Sequence, residues 1–373
     1  MEVTHLYLNQ SNFFSHTLAV CENAIKQQLV PSICVAVGWK DHVLAEGCYG
    51  KTSILDDAVW VQPDTIYDMA SLSKLMGPTM IALRLIARGE LDLADTLPKL
   101  FGHNPGVPAD KKDITVFHLM THTSGFLASV RMDQLLSGPD QVLPYLLQMT
   151  LNNTPGKKVE YSCLGYILLG MALERLTGKT LDQLAQDEVF GPLGMSATGY
   201  HPLNQPIQTT NTAYTERSTM DGSWLVGRVH DENAFLLGGV SGNAGVFSTL
   251  DDCIRFARML ACHGILEHEI YLPECILNEA LRVQTPWSDN LKGLGFDLTG
   301  SWNGICGPFF GHPAAGHTGF TGTAFYLNPE NDTWVIILSN RVHPTRKNQN
   351  MERIRHLVFN TFASEFCNWQ RKG

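Results

Sequence analysis

No run of about 18 consecutive apolar residues occurs in the 373, so the usual membrane-spanning helix is excluded. Basic runs are missing too. The chain has 27 Lys and Arg against 36 Asp and Glu, a formal net charge of −9, and Arg341, Arg346 and Lys347 are too few to track a phosphate backbone. A nucleic-acid partner is therefore not expected. The nine cysteines, at 21, 34, 48, 163, 253, 262, 275, 306 and 367, are odd in number and contain no C-x-x-C pair. They read as small core residues or surface thiols. Met1 to Leu8 show no basic segment followed by an apolar one, the mark of a secretory signal. The expectation is a cytoplasmic protein, or an exported one if a leader has been removed. Internal repeats and low-complexity tracts are also absent.

What is present suits a globular enzyme: 44% hydrophobic residues, 17% charged, 33 Gly, and a length that allows about two domains. Phe14, Leu18, Ala19, Cys21, Ile25 and Leu29 recur at helical spacing and predict an opening helix over 11–29, stopped by Pro31. Residues 33–38 and 43–47 read as a hairpin turning at Lys40-Asp41-His42. A long apolar helix is predicted over 75–91, and a mostly helical stretch follows, punctuated by Pro155-Gly156, Gly191-Pro192 and Gly238-Gly239. Strand character returns at 322–327 and 334–340, and a last helix carries Ile354, Leu357, Val358, Phe362 and Phe366 on one stripe. These segments predict an α/β fold of the α+β type. An antiparallel sheet built by both chain ends, 1–70 and 290–373, would be flanked by helices, with a mostly helical domain, 71–289, inserted and the active site between them.

The chemistry centres on Asp68-Met69-Ala70-Ser71-Leu72-Ser73-Lys74. If Ser71 opens the apolar helix, Lys74 lies on the same face and its amine reaches the hydroxyl. Serine attacks a carbonyl only when a neighbour takes its proton, and lysine can do so only when neutral. That requires lowering its ordinary pKa by roughly 3 units, and burial near a helix N-terminus acts in that direction. The pattern S-x-x-K is short, and by itself also fits an ordinary polar cap. Two further stretches bear on it. Tyr161, in Val159-Glu160-Tyr161-Ser162-Cys163, precedes an apolar helix and could be a second proton carrier. Gly316-His317-Thr318-Gly319-Phe320 reads as a Gly-rich edge strand along which a substrate backbone could lie. His118 to Phe126, with His122, reads as structural.

Taken in order, S-x-x-K at Ser71 and Lys74, L-x-T-H-T-S-G at 119–125, a Y-x-N-like element at Tyr161, G-P-L-G-M at 191–195 and H-T-G at 317–319 resemble one known group. It is the serine beta-lactamase and penicillin-binding-protein superfamily, in its class C-like, DD-peptidase and esterase branch. The resemblance covers almost the whole length. It implies that Ser71 attacks, that Lys74 and Tyr161 share the base and acid roles, and that the Ser71 and Phe320 backbone N–H groups form the oxyanion hole. His317 stands where many relatives have lysine. Its implied role is electrostatic, toward Tyr161 or a substrate carboxylate, against the plainer reading of a hydrogen-bonded strand histidine. Thr318 and Gly319 would contact substrate. Cys163 replaces the asparagine that grips the acylamide in penicillin-recognising relatives, and a thiol donates and accepts weakly.

The C-terminal half, at 227–234, 238–249 and 339–345, looks like members that act as muramoyl-peptide amidases. His230 and Asn233 would then line the pocket, or the polar cluster His230-Asp231-Glu232-Asn233 would cap a loop. His118 with His122, and His312 with His317, fall short of a metal-binding pattern, so no metal or other cofactor is expected. The sequence reading is a serine hydrolase acting on a small-molecule or peptide substrate. An amide of a cell-wall-derived peptide comes first, a small ester second and a beta-lactam third. A non-catalytic binder that keeps the pocket is the rival from another class.

Overall fold

A computed structural model describes residues 12–102, 106–201, 210–219, 221–299 and 305–371. Its main sheet uses β1 (Ser32–Trp39), β2 (His42–Gly50), β3 (Asp297–Leu298), β4 (Ala315–Thr318), β5 (Ala324–Asn328) and β6 (Thr333–Ser339). The spatial order is β2-β1-β6-β5-β4-β3, and every neighbouring pair is antiparallel. The two chain ends thus meet at the β1–β6 junction, as the apolar runs at 33–38 and 334–340 predict.

Those two central strands are apolar on both faces because both faces are covered. The register Val35↔Ile337 and Ala36↔Ile336 aligns their faces. Ile33, Val35, Val37, Tyr326, Val335 and Ile337 pack beneath α1 (Ser15–Lys26) and α5 (Met351–Gln370), meeting Phe14, Cys21, Val358 and Phe362. Ala36, Phe325, Ile336 and Leu338 face the other way, into a core shared with Leu72, Met80, Ile81, Tyr166, Leu168 and Phe256. Within the stretch 71–289, α4 (Leu250–Ala261) lies directly on β1 and β6. The rest of that stretch holds α3 (Cys163–Thr177) and many shorter helices joined by loops. No helix among the described residues is long and apolar enough to cross a membrane.

The segment predicted as one helix over 75–91 with Ser71 at its start is built in pieces. A 3₁₀ turn spans Ala70–Leu72, a π-type turn spans Leu75–Thr79, and regular α-helix, α2, begins only at Met80–Ala87. Pro78 accounts for the break, because it has no N–H to give to the preceding turn and its ring crowds the carbonyl there. The expected burial is present: Leu75, Met76, Met80, Ile81, Leu83 and Leu85 are all buried.

Candidate active site

The Ser71 turn is held from both sides. Asp68 ends the short strand Tyr67–Asp68, which pairs with Val246–Ser248. Its buried carboxylate accepts the N–H of Ala70 at 2.8 Å through Oδ1 and the N–H of His230 at 2.8 Å through Oδ2. Burial raises the Asp68 pKa above the ordinary carboxylate value, although these two N–H groups pull it down. Ala70 sits at φ 47°, in the left-handed region that side chains other than glycine seldom occupy, immediately before Ser71. From the sheet side, the Thr321 hydroxyl donates to the Asp68 carbonyl at 2.7 Å and the Thr323 hydroxyl to the Met69 carbonyl at 3.0 Å. Gly319 comes so close that a Cβ there would fall 2.4 Å from the Met69 carbonyl oxygen, so only glycine allows β4 this approach.

Lys74 is fully buried beneath Ser71. Its Nζ donates to Ser71 Oγ at 3.0 Å, to the Asn243 carbonyl at 2.9 Å and to Cys163 Sγ at 3.5 Å. The Tyr161 hydroxyl interacts with the same Ser71 side chain, and the Lys74 amine lies 5.0 Å from its ring centroid. Burial and Cys163 push the Tyr161 phenol well above its ordinary pKa, while the Ser71 bond draws it back. Tyr161 and Cys163 reach this position because α3 starts beside the 119–125 loop. Its N-cap Ser162 accepts from Gly165 N–H and donates to the Leu127 carbonyl, and Ser162 N–H donates to His122 Nδ1 at 3.0 Å. His122, read as structural in sequence, packs tilted against Tyr161 and Tyr166, with ring centroids 4.6 Å and 5.0 Å away. Burial, joined by Lys292, holds its imidazole well below its ordinary pKa.

A cleft of about 380 Å³ opens over these groups and is lined by Ser71, Tyr161, His317, Thr318, Gly319 and Phe320. His317 Nδ1 lies 2.7 Å from the Thr318 carbonyl, and its ring is 5.8 Å from that of Tyr161. Burial drives the His317 pKa down to about 4; Asp297 opposes this, and Lys74 and Lys292 reinforce it. Phe320 caps the turn after β4 with its ring half exposed between Arg341, at 4.6 Å, and His230, at 5.7 Å. Arg341 donates to the Phe320 carbonyl at 2.8 Å and Arg355 to the Gly319 carbonyl at 3.2 Å, fixing that turn.

Two residues expected to line the pocket lie outside this cleft. His230 stands behind Phe320 with Nε2 3.3 Å from Glu216, and its N–H is committed to Asp68. Asn233 is buried with its amide occupied, since Nδ2 donates to the Val130 carbonyl and Oδ1 accepts Met132 N–H. The 230–233 cluster therefore braces the loops, and the neighbouring Asp231 caps a short helix, Glu232–Leu236. Conversely, the sequence reading passed over Asp68 as a brace, Asn243, the arginines 341 and 355, and the buried pair Lys292–Asp297. Of these, Asp68, Asn243 and Arg341 lay in stretches singled out for other reasons. Among the described residues, no group of three or more His, Cys, Asp or Glu is placed to hold a metal ion.

Chemically, an amine and a phenol on one hydroxyl can remove its proton and hand it on once the amine is neutral. The family model "Beta-lactamase" matches residues 19–359. A protein of Escherichia coli (strain K12), provisionally named a D-alanyl-D-alanine carboxypeptidase, is 30% identical over 347 residues, covering 84% of this chain and 79% of that one. An N-acetylmuramyl-L-alanine amidase of Bacillus subtilis (strain 168) is 30% identical over 322 residues, covering 79% and 72%. Among solved structures, EstCE1, described as a hydrolase with promiscuous acyltransferase activity, superposes with a TM-score of 0.74 at 20% identity, covering 93% of this chain and 98% of that one. The chain belongs to the Beta-lactamase family of hydrolases, within the serine beta-lactamase and penicillin-binding-protein superfamily.

Proposed function

We propose that the protein is a serine hydrolase that forms an acyl-enzyme on Ser71 and cleaves an amide bond in a cell-wall-derived peptide. The observation that carries this reading is the convergence of Lys74 Nζ, at 3.0 Å, and the Tyr161 hydroxyl on the side chain of Ser71. In the proposed cycle neutral Lys74 takes the Ser71 proton as Oγ attacks the carbonyl carbon. Tyr161 delivers a proton to the leaving nitrogen, and the C–N bond breaks to leave an ester on Ser71. Water, deprotonated by the same pair, then attacks the ester and releases the acid. The Ser71 and Phe320 N–H groups receive the oxyanion in both halves.

Substrate class is argued from the cleft wall and the relatives. Arg341, Arg355 and Lys292 line it, and the buried Nε of Arg355 has no partner among the described residues, which favours a substrate carrying a carboxylate. Both named relatives carry names of cell-wall peptide hydrolases. Cys163, beside Lys74, offers only weak hydrogen bonding where tight penicillin recognition would call for an amide. The test is turnover of three compounds by the same preparation: a muropeptide with a free carboxylate, p-nitrophenyl acetate and a penicillin. The expected result is that the muropeptide has the largest kcat/KM. Ester turnover with an inert muropeptide would overturn the substrate assignment, and no turnover of any of the three would overturn the hydrolytic one.

A further inference from the structure

One buried ion pair in the cleft wall has no part in the cycle above. Lys292 and Asp297 are joined by a direct Nζ–Oδ1 contact, and both line the cleft that holds Ser71. They are brought there by β3, whose Asp297 pairs with Gly316 of β4, the residue before His317. Lys292 is also 5.9 Å from the Tyr161 ring centroid. A salt bridge this enclosed is a poor source of stability, because desolvating both ions offsets most of their attraction. Its placement points to another use.

His317 supplies that use. Its Nδ1 faces the Thr318 carbonyl at 2.7 Å, and a carbonyl can only accept, so the ring proton resides on Nδ1. In the neutral ring Nε2 is then a lone pair. Nε2 is buried and has no hydrogen-bond partner among the described residues. The charged and titratable groups around the ring are Lys74 below Ser71, Tyr161 before α3, His122 from the 119–125 loop, and Lys292 and Asp297 from the β3 edge. Arg341, Glu352 and Arg355 line the same cleft. Asp297 is the one carboxylate among the groups named as acting on the ring, and by itself it would draw a proton onto the imidazole.

Resting on the hydrolase reading, we propose that Lys292 and Asp297 are a positioning pair: by neutralising Asp297, Lys292 keeps His317 uncharged, so that Nε2 serves the reaction as a hydrogen-bond acceptor at the cleft. Burial pushes the Asp297 carboxyl up, but Lys292, by its charge and its hydrogen bond, outweighs burial and helps hold the carboxyl below its ordinary value, so the carboxylate stays ionised. Loss of Lys292 alone leaves Asp297 uncompensated and raises the His317 midpoint. Loss of both charges restores it.

The test follows the His317 ring resonances by NMR through a pH titration of the full chain, in parallel with the pH profile of kcat/KM. In the unsubstituted protein the midpoint is expected at about 4, because the ring is buried. Lys292→Met should raise it by about 1–2 units and move the acid limb of kcat/KM up by the same amount. Lys292→Arg should leave both in place, and Lys292→Met/Asp297→Asn should bring both back. An unmoved midpoint in Lys292→Met, or activity lost equally at every pH, would overturn the proposal and leave the pair structural. Because the NMR midpoint does not depend on turnover, a failed hydrolase assignment is distinguishable from a failed positioning role. Should Lys292→Met not fold, Lys292→Gln, neutral but still able to donate to Asp297, carries the same expected rise, and an unmoved midpoint there equally overturns the proposal.

Discussion

Lys74→Met is expected to lower kcat by about 10²–10⁴-fold, the usual contribution of a positioned general base, with a much smaller change in KM. Methionine keeps the length and most of the volume of the lysine stem, so Ser71, Leu75 and Tyr161 keep their packing while the proton acceptor is gone. The bond at 3.0 Å to Ser71 Oγ and that at 2.9 Å to the Asn243 carbonyl are both lost. One buried carbonyl is then short of a donor, but a fully buried amine is removed too, and the two changes oppose each other in stability. The melting temperature should therefore move far less than the rate. Steady-state kinetics beside a thermal melt separate the two, and a variant that keeps activity within a few-fold of the parent would show that Lys74 is not the base.

Asp68→Ala should be the most damaging change outside the reacting groups, costing about 2–5 kcal/mol, since it strands two buried N–H donors at roughly 1–3 kcal/mol each. One is Ala70 N–H, whose residue is held at φ 47°. A left-handed alanine costs about 1–2 kcal/mol, and the Asp68 carboxylate is what offsets that cost. Released, the turn relaxes and Ser71 leaves Lys74. The other is His230 N–H, which ties down the ring stacked on Phe320. The expected outcome is a fall in Tm of about 5–10 °C together with a loss of kcat at temperatures where the variant is still folded. An unchanged melt, or full activity, would show that the Ser71 turn is held by something else.

These two residues mark where sequence reading succeeds and where it stops. Ser71 and Lys74 are three positions apart, and local backbone geometry alone brings them together, so their pairing was legible. The same holds for β1 and β6, where apolar residues on both faces announce a strand covered twice. Asp68 was visible as a residue but not as a brace: its bond to Ala70, two positions on, needs a left-handed turn that alanine does not announce, and its bond to His230 spans 162 positions. Lys292 and Asp297 carry no local signal at all. They become a site pair only when a two-residue edge strand finds its register against Gly316. His230 and Asn233 show the opposite case. The resemblance to amidase members suggested that they line the pocket, with loop capping as the alternative, and their backbone and amide groups are occupied by Asp68, Val130 and Met132. The 75–91 helix was legible in its burial and not in its winding, which Pro78 alters.

The most direct measurement of the central claim is intact mass after exposure to a fluorophosphonate, for the parent and for Ser71→Ala, followed by peptide mapping. Cleavage through an acyl-enzyme predicts one stoichiometric adduct on the parent, carried by the peptide containing Ser71, and none on Ser71→Ala. An unlabelled parent, or an adduct that survives in Ser71→Ala on Cys163 or any other residue, would contradict it.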